Sequence, residues 1–220
     1  MKSRLDFPSE LDWRDAFYFP VATPEGRKDV LIGGTLILFL WPIGWVLNLG
    51  NRLNVVARLH AGRSPYFTGF RPWTFTLARG CTSAAAIAAY LAPAMAFGAL
   101  AYYLHAADAT RWTVAASSVA GVVAFTLAVF TLPGCMTVYA VEGNDSVLRN
   151  PLMAFRRAWS RRDVYLRAWM IALVSIVLSF LGLLGLLVGF LYTSVWAWEV
   201  VGYAFTVAMY APVDQVGKRS

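Results

Sequence analysis

Glu199 is the residue of this chain whose position asks for chemistry. It interrupts an apolar run from Ala168 to Val213 that holds no other charged side chain. With a helix predicted over 188–210, Glu199 lies ~16 Å from either end at 1.5 Å per residue. A charged group at that depth in a bilayer costs at least ~2.5 kcal/mol and ordinarily has a partner or a function. Two readings follow. A glutamate hydrogen-bonded to Asn48 or to a tyrosine would tie helices together, whereas a titrating one would relay a proton or an ion. Under the first reading Glu199→Gln is tolerated and Glu199→Leu loosens the fold, because leucine strands a buried partner.

The other reactive residue types are sparse. His60 and His105 could ligate a metal or a chlorophyll-type pigment through an imidazole nitrogen. His60 stands between Arg58 and Arg63, and His105 sits just before Arg111, so both read as interfacial. Cys81 and Cys135 have neither a CxxC partner nor a nearby histidine. They read as small packing residues level with one another across a hairpin, at a cytoplasmic end where thiols stay reduced. No Walker motif, dinucleotide fingerprint, zinc pattern or nucleophilic triad occurs. No catalytic residue, metal or cofactor is therefore expected, and the chain does not read as an enzyme.

The elements that would carry these residues follow from composition. Of 220 residues 59% are hydrophobic, 15% aromatic and only 14% charged, with a mean hydropathy of +0.56. Soluble chains carry about 25% charged residues, so the polar coat is roughly half what water would require. A water-soluble enzyme domain and a disordered tail are excluded. The net charge of +7 would raise nucleic acid as a partner in a soluble protein. Here the basic residues flank apolar spans, the ordinary topology signal of membrane proteins, and no nucleic acid is expected.

A helix needs about 20 residues to cross a hydrocarbon core of about 30 Å. Residues 168–213 fit two spans, with glycines at 182, 185 and 189 marking the break. Full transmembrane helices are predicted at 80–104, 112–141, 165–184 and 188–210. The first apolar stretch, 30–61, contains WPIGW, and Pro42 removes a backbone donor there. It is either one kinked span or a re-entrant hairpin. The kinked span puts 13 Lys and Arg residues inside and 6 outside; the hairpin puts 18 inside and leaves Arg111 alone outside. Positive-inside bias favours the hairpin. The chain then reads as an all-α integral membrane protein in one membrane domain, multi-pass in the cytoplasmic (inner) membrane of a bacterium, with both termini cytoplasmic. Its parts are a cytoplasmic interfacial segment (1–29), the re-entrant or kinked segment (30–61), a helical hairpin (80–141), a basic interfacial segment (142–163) and a second hairpin (164–212). The first 29 residues, mixed in charge and without an early apolar core, do not read as a cleavable signal peptide.

Residues 7–19 and 150–159 read as interfacial amphipathic helices. Arg156, Arg157, Arg161 and Arg162 are suited to anionic headgroups or a partner's acids. Gly182, Gly185 and Gly189 are small residues where helices can approach closely.

The runs LDWRDAFYFPVATPEGRKDVLIGGTLILFLWPIGW and GRSPYFTGFRPWTFTLARG, followed by a C-terminal helix pair, resemble a prokaryotic membrane-protein family known only as domain of unknown function 4013. The shared features are the Asp15-Ala16-Phe17 opening, the Gly33-Gly34 pair starting the first apolar segment, and a tryptophan-bearing loop before the second. This chain has Arg71-Pro72-Trp73 where the family has Leu-Pro before the loop tryptophan. The resemblance implies a fold and no activity. The expected function is a non-catalytic accessory subunit of a larger integral-membrane complex, such as a photosynthetic or other energy-converting one, with lipids and other membrane subunits as partners. The alternative is a small transporter or channel component using Glu199 and the broken helix at Pro42.

Overall fold

The computed structural model describes residues 7–65 and 70–211. Among them there are helices and turns and no strand. Helix α1 (Trp13–Tyr18) starts on Asp12, whose carboxylate accepts from the Arg14 amide at 2.6 Å. A 3-10 turn (Phe19–Val21) follows it. Thr23 caps α2 (Pro24–Leu40), with Pro24 in the first turn where its missing N–H is harmless. Trp41 and Pro42 end α2, and α3 (Ile43–His60) begins at once.

Two long helices come next, α4 (Trp73–Ala106) and α5 (Arg111–Glu142). Gly143, at φ 67°, supplies the left-handed residue that closes α5. The short α6 (Ser146–Arg149) leads to α7 (Pro151–Trp159), which Asn150 caps by accepting from the Met153 amide. Helix α8 (Arg162–Ser179) passes through a 3-10 turn (Phe180–Gly185) into α9 (Leu186–Tyr210).

Helix α9 is the axis of the fold. It touches α1, α2, α3, α5 and α8. Val200, Ala204, Phe205 and Val207 on it are fully buried. Tyr165 of α8 packs edge-on against Phe205, and its hydroxyl donates to the Phe130 carbonyl of α5 at 2.6 Å. This ties three helices at one buried ring.

Pro42 divides the first apolar stretch into two helices that lie against each other. Asn48 of α3 donates to the Gly33 carbonyl of α2 at 3.0 Å, and a Cβ on Gly44 would collide with the Leu36 backbone. The segment is thus a helical hairpin with Trp41-Pro42 at its tip. Helix α3 then crosses α4 at glycines: a Cβ on Gly50 would meet the Thr76 carbonyl, and one on Gly80 the Val46 carbonyl.

Three helices among the described residues are long and apolar enough to cross a membrane: Trp73–Ala106, Arg111–Glu142 and Arg162–Gly185. That places the chain among membrane proteins. Four full spans were expected, and the fourth, α9, falls outside this set. It carries Tyr192, Trp196, Glu199 and Tyr203 within an otherwise apolar run, and packing on several sides accommodates them.

Helix α4 begins at Trp73, well before the predicted 80, because Arg79 is satisfied inside the fold. Its guanidinium donates to the Asn54 side-chain oxygen and to the Ala140 carbonyl, both at 2.9 Å. The helix expected over 7–19 is shorter than the segment. Only 13–18 is α-helical, and the segment docks on α9, with the Trp196 indole donating to the Phe17 carbonyl and Phe19 against Tyr203. The termini beyond residues 7 and 211, expected in the cytoplasm, lie outside the described residues.

Gly50→Ala and Gly80→Ala should each lower stability by ~1–3 kcal/mol, since backbone must move to admit the methyl group. Gly185→Ala and Gly98→Ala, which meet nothing within 4 Å, should be neutral. Thermal unfolding of the four variants in one detergent checks this. Equal losses at all four would show that the α3–α4 crossing is not where the backbones meet.

Candidate functional site: a charged cavity between the first hairpin and the last helix

The hairpin α2–α3 lies along α9 through glycines. A Cβ on Gly33 would strike Val195, and one on Gly34 would strike Tyr192. Thr35 and Tyr192 share a hydrogen bond at 3.1 Å. Toward the Trp41-Pro42 tip the two bodies separate and leave a cavity of about 290 Å³. Trp41, Trp45 and Trp198 line it and keep exposed ring surface, so they frame its mouth. Ile37, Leu49, Phe190, Leu191 and Val195 supply apolar wall.

The polar lining is Asn48, Asn51, Arg52, Ser194 and Glu199. Glu199 is 2% exposed, and neither carboxylate oxygen has a hydrogen-bond partner among the described residues. The Asn51 side-chain oxygen is likewise buried and unbonded. Arg52 is 6% exposed. Among the described residues its guanidinium makes no ion pair, and lies over the Trp198 ring at 5.0 Å. Arg52 and Glu199 therefore share a cavity without bridging each other. Asp29 of α2, also buried, adds negative field at Glu199.

This geometry corrects the expected tie between Asn48 and Glu199. The Asn48 amide is spent on two backbone carbonyls, Gly33 at 3.0 Å and Gly44 at 2.8 Å, where it holds the hairpin together. Glu199 has no such partner to strand. Glu199→Leu is accordingly not expected to loosen the ligand-free fold, contrary to the sequence reasoning. Replacing an isolated buried acid by an apolar side chain is usually neutral or favourable.

The other residues singled out from the sequence lie elsewhere. Arg157 pairs with Glu142 at 2.6 Å and covers the Tyr210 ring. Arg161 donates to the Ala211 carbonyl at 2.9 Å, capping the end of α9. These two are internal fasteners that stay partly exposed. Arg156 and Arg162 remain exposed. Gly182 and Gly189 do meet, each blocking a Cβ on the other, while Gly185 packs against nothing. His60 lies between the rings of Phe7 and Tyr210, and His105 is exposed at the end of α4. Cys135 is buried, donating to the Val147 carbonyl and beside the Tyr90 hydroxyl, whereas Cys81 is exposed; both are free thiols. No group of three His, Cys, Asp or Glu residues able to hold a metal occurs among the described residues.

Sequence reasoning missed Arg52 and Asn51. Arg52 was counted as a flanking charge, yet it lies eight residues inside α3 from His60. Its signal was the run from Leu49 to Val56, in which every residue is buried. No known protein family, curated protein or solved structure matches this chain.

Glu199→Met in the ligand-free protein should leave thermal stability unchanged or raise it by ~1 kcal/mol. A loss of more than that in detergent would mean that the carboxylate is hydrogen-bonded after all.

Proposed function

We propose that the chain is a non-catalytic subunit of a larger integral-membrane assembly in a bacterial cytoplasmic membrane. The observation that carries this reading is the outer part of the α4–α5 hairpin. Between residues 91 and 127 only Ala101, Ser117 and Gly121 are buried. Ser117 donates to the Phe97 carbonyl, and Gly121 faces Phe97 and Ala94, so the two helices are seamed to each other. Away from the polar tip at His105–Arg111, most of their remaining surface is apolar and exposed, Met95, Phe97, Leu100, Val119, Val122 and Phe125 among it. Such a surface is stable only against lipid tails or other membrane helices.

A groove of about 630 Å³ runs beside this seam, walled by Ala85, Ala86, Ala89, Ala124 and Ala128. Small residues let a further helix approach closely, which is what holds helices together where the solvent is as apolar as they are. Helix α7 adds Leu152, Met153 and Trp159, all exposed, next to Arg156. That mixture suits a membrane surface.

Charge supports one orientation. His60, Tyr210, Glu142 and Arg157 gather at one end of the bundle. The basic segments cluster with them, and that end faces the cytoplasm by positive-inside bias. The α2–α3 hairpin then enters and leaves from the cytoplasmic face. Its helices have 17 and 18 residues. They reach ~26 Å at 1.5 Å per residue, just short of the ~30 Å hydrocarbon core. Helices α8 and α9 make the third and last helical hairpin.

Gentle solubilisation followed by native gel and mass spectrometry should give a stoichiometric companion. Ala89→Phe should remove it while changing stability by less than ~0.5 kcal/mol. A homogeneous 24.3 kDa species alone would contradict the subunit reading. For orientation, Cys81→Ser protein carrying Ser64→Cys should react with an impermeant thiol reagent only from the cytoplasmic side, and one carrying Asp108→Cys only from outside. Labelling of both from one side would overturn the topology.

A second reading is favoured by the Glu199 cavity. Charged residues facing a cavity beside a broken segment are what transport sites are built from. On this reading the chain is a small transporter or channel component.

A further inference from the structure

The cavity poses a problem of charge that its own residues leave unsolved. A carboxylate and a guanidinium, both more than nine-tenths buried, face one space without pairing. Isolated buried charges are expensive: a buried acid stays neutral until a cation meets it, whereas a guanidinium keeps its charge and needs an anion. A simple cation would meet Glu199 but be repelled by Arg52. A simple anion would meet Arg52 and leave Glu199 without a counter-charge. A molecule carrying both signs pairs with both side chains at once.

We propose that this cavity binds a small zwitterion, its acid group on the Arg52 guanidinium and its ammonium on the Glu199 carboxylate. The acid group is a carboxylate or a phosphate, since a planar guanidinium suits either. The unbonded Asn51 oxygen accepts a further hydrogen bond from the ammonium. Trp41, Trp45 and Trp198 at the mouth hold the ligand's apolar part and favour the ammonium through their ring faces. At about 290 Å³ the space is at the small end of ligand sites, which limits the occupant to a compact molecule or a headgroup. This chemistry has two sources, a free apolar α-amino acid or the ethanolamine-phosphate head of a phospholipid. The inference rests on taking the cavity as a binding site, as the second reading does. It stands whether the ligand is carried or simply held, and whether or not the chain has a partner subunit.

The test uses the full chain, purified alone. One arm titrates individual apolar and aromatic L-amino acids, leucine first, by calorimetry. Leucinamide and 4-methylpentanoate serve as probes that keep only the ammonium or only the carboxylate. The other arm places the protein in nanodiscs of phosphatidylglycerol with or without phosphatidylethanolamine, and reads retained lipid by native mass spectrometry. Saturable binding is expected in one arm, with the single-charge probes or phosphatidylglycerol at least tenfold weaker. Glu199→Gln and Arg52→Gln should each weaken binding at least tenfold with melting temperature in ligand-free protein maintained. Ser194→Leu, which fills the cavity without touching either charge, should do the same and covers the case that a charge variant fails to fold. Saturable binding in neither arm overturns the proposal. So does equal affinity for the single-charge probes, or full affinity in the cavity variants. A missing companion subunit would count against the subunit reading alone.

Discussion

Backbone-to-backbone contact at glycine is the constraint on which this structure depends. Between membrane helices there is little hydrophobic drive, so association rests on close packing and on hydrogen bonds. Gly50 against Thr76, Gly80 against Val46, and Gly44 against Leu36 bring main chains together where any side chain would hold them apart. Gly33 and Gly34 make room instead for side chains of α9, Val195 and the Tyr192 ring, against the hairpin backbone. With these contacts in place, the Asn48 amide reaches two carbonyls, and the hairpin becomes a single rigid wedge. The wedge and α9 together enclose Arg52 and Glu199 between them.

The two halves of the molecule use this constraint differently. Helices α2, α3, α8 and α9 surround polar groups, and the enclosed faces of α3 and α9 carry Asn51, Arg52, Asn54, Glu199 and Thr206. The outer α4–α5 hairpin has the opposite character, with small residues at one seam and mostly apolar side chains outside it until the polar tip at His105–Arg111. Polar residues are placed where protein surrounds them and apolar ones where lipid does. A division of labour follows, in which one half holds the charged cavity and the other presents surface to the membrane and its occupants.

Much of this was legible in the sequence, and the reasons for the rest are physical. Pro42 announced a break because it lacks a donor, and the break is the hairpin tip. The GLLG run announced the turn between α8 and α9. Glu199 announced itself by standing alone in an apolar run. Its surroundings did not, because the partners of α9 are contributed by residues some 150 positions away, where no local pattern records them. Arg52 and Arg79 looked like flanking charges, since a sequence shows how many charges border a span but not which carbonyls or rings will receive them. The Gly182, Gly185 and Gly189 series shows the same limit. Two of the three make a close approach and the third faces open space, a distinction that depends on the opposing helix.

The central claim is that Arg52 and Glu199 face a shared space meant for something other than each other. An electron cryomicroscopy structure in native-membrane nanodiscs, with an antibody fragment as fiducial, tests it most directly. The account predicts non-protein density between Trp41, Trp45 and Trp198 that touches both the guanidinium and the carboxylate. A closed cavity, with Arg52 and Glu199 joined in a direct ion pair and nothing between them, would contradict it.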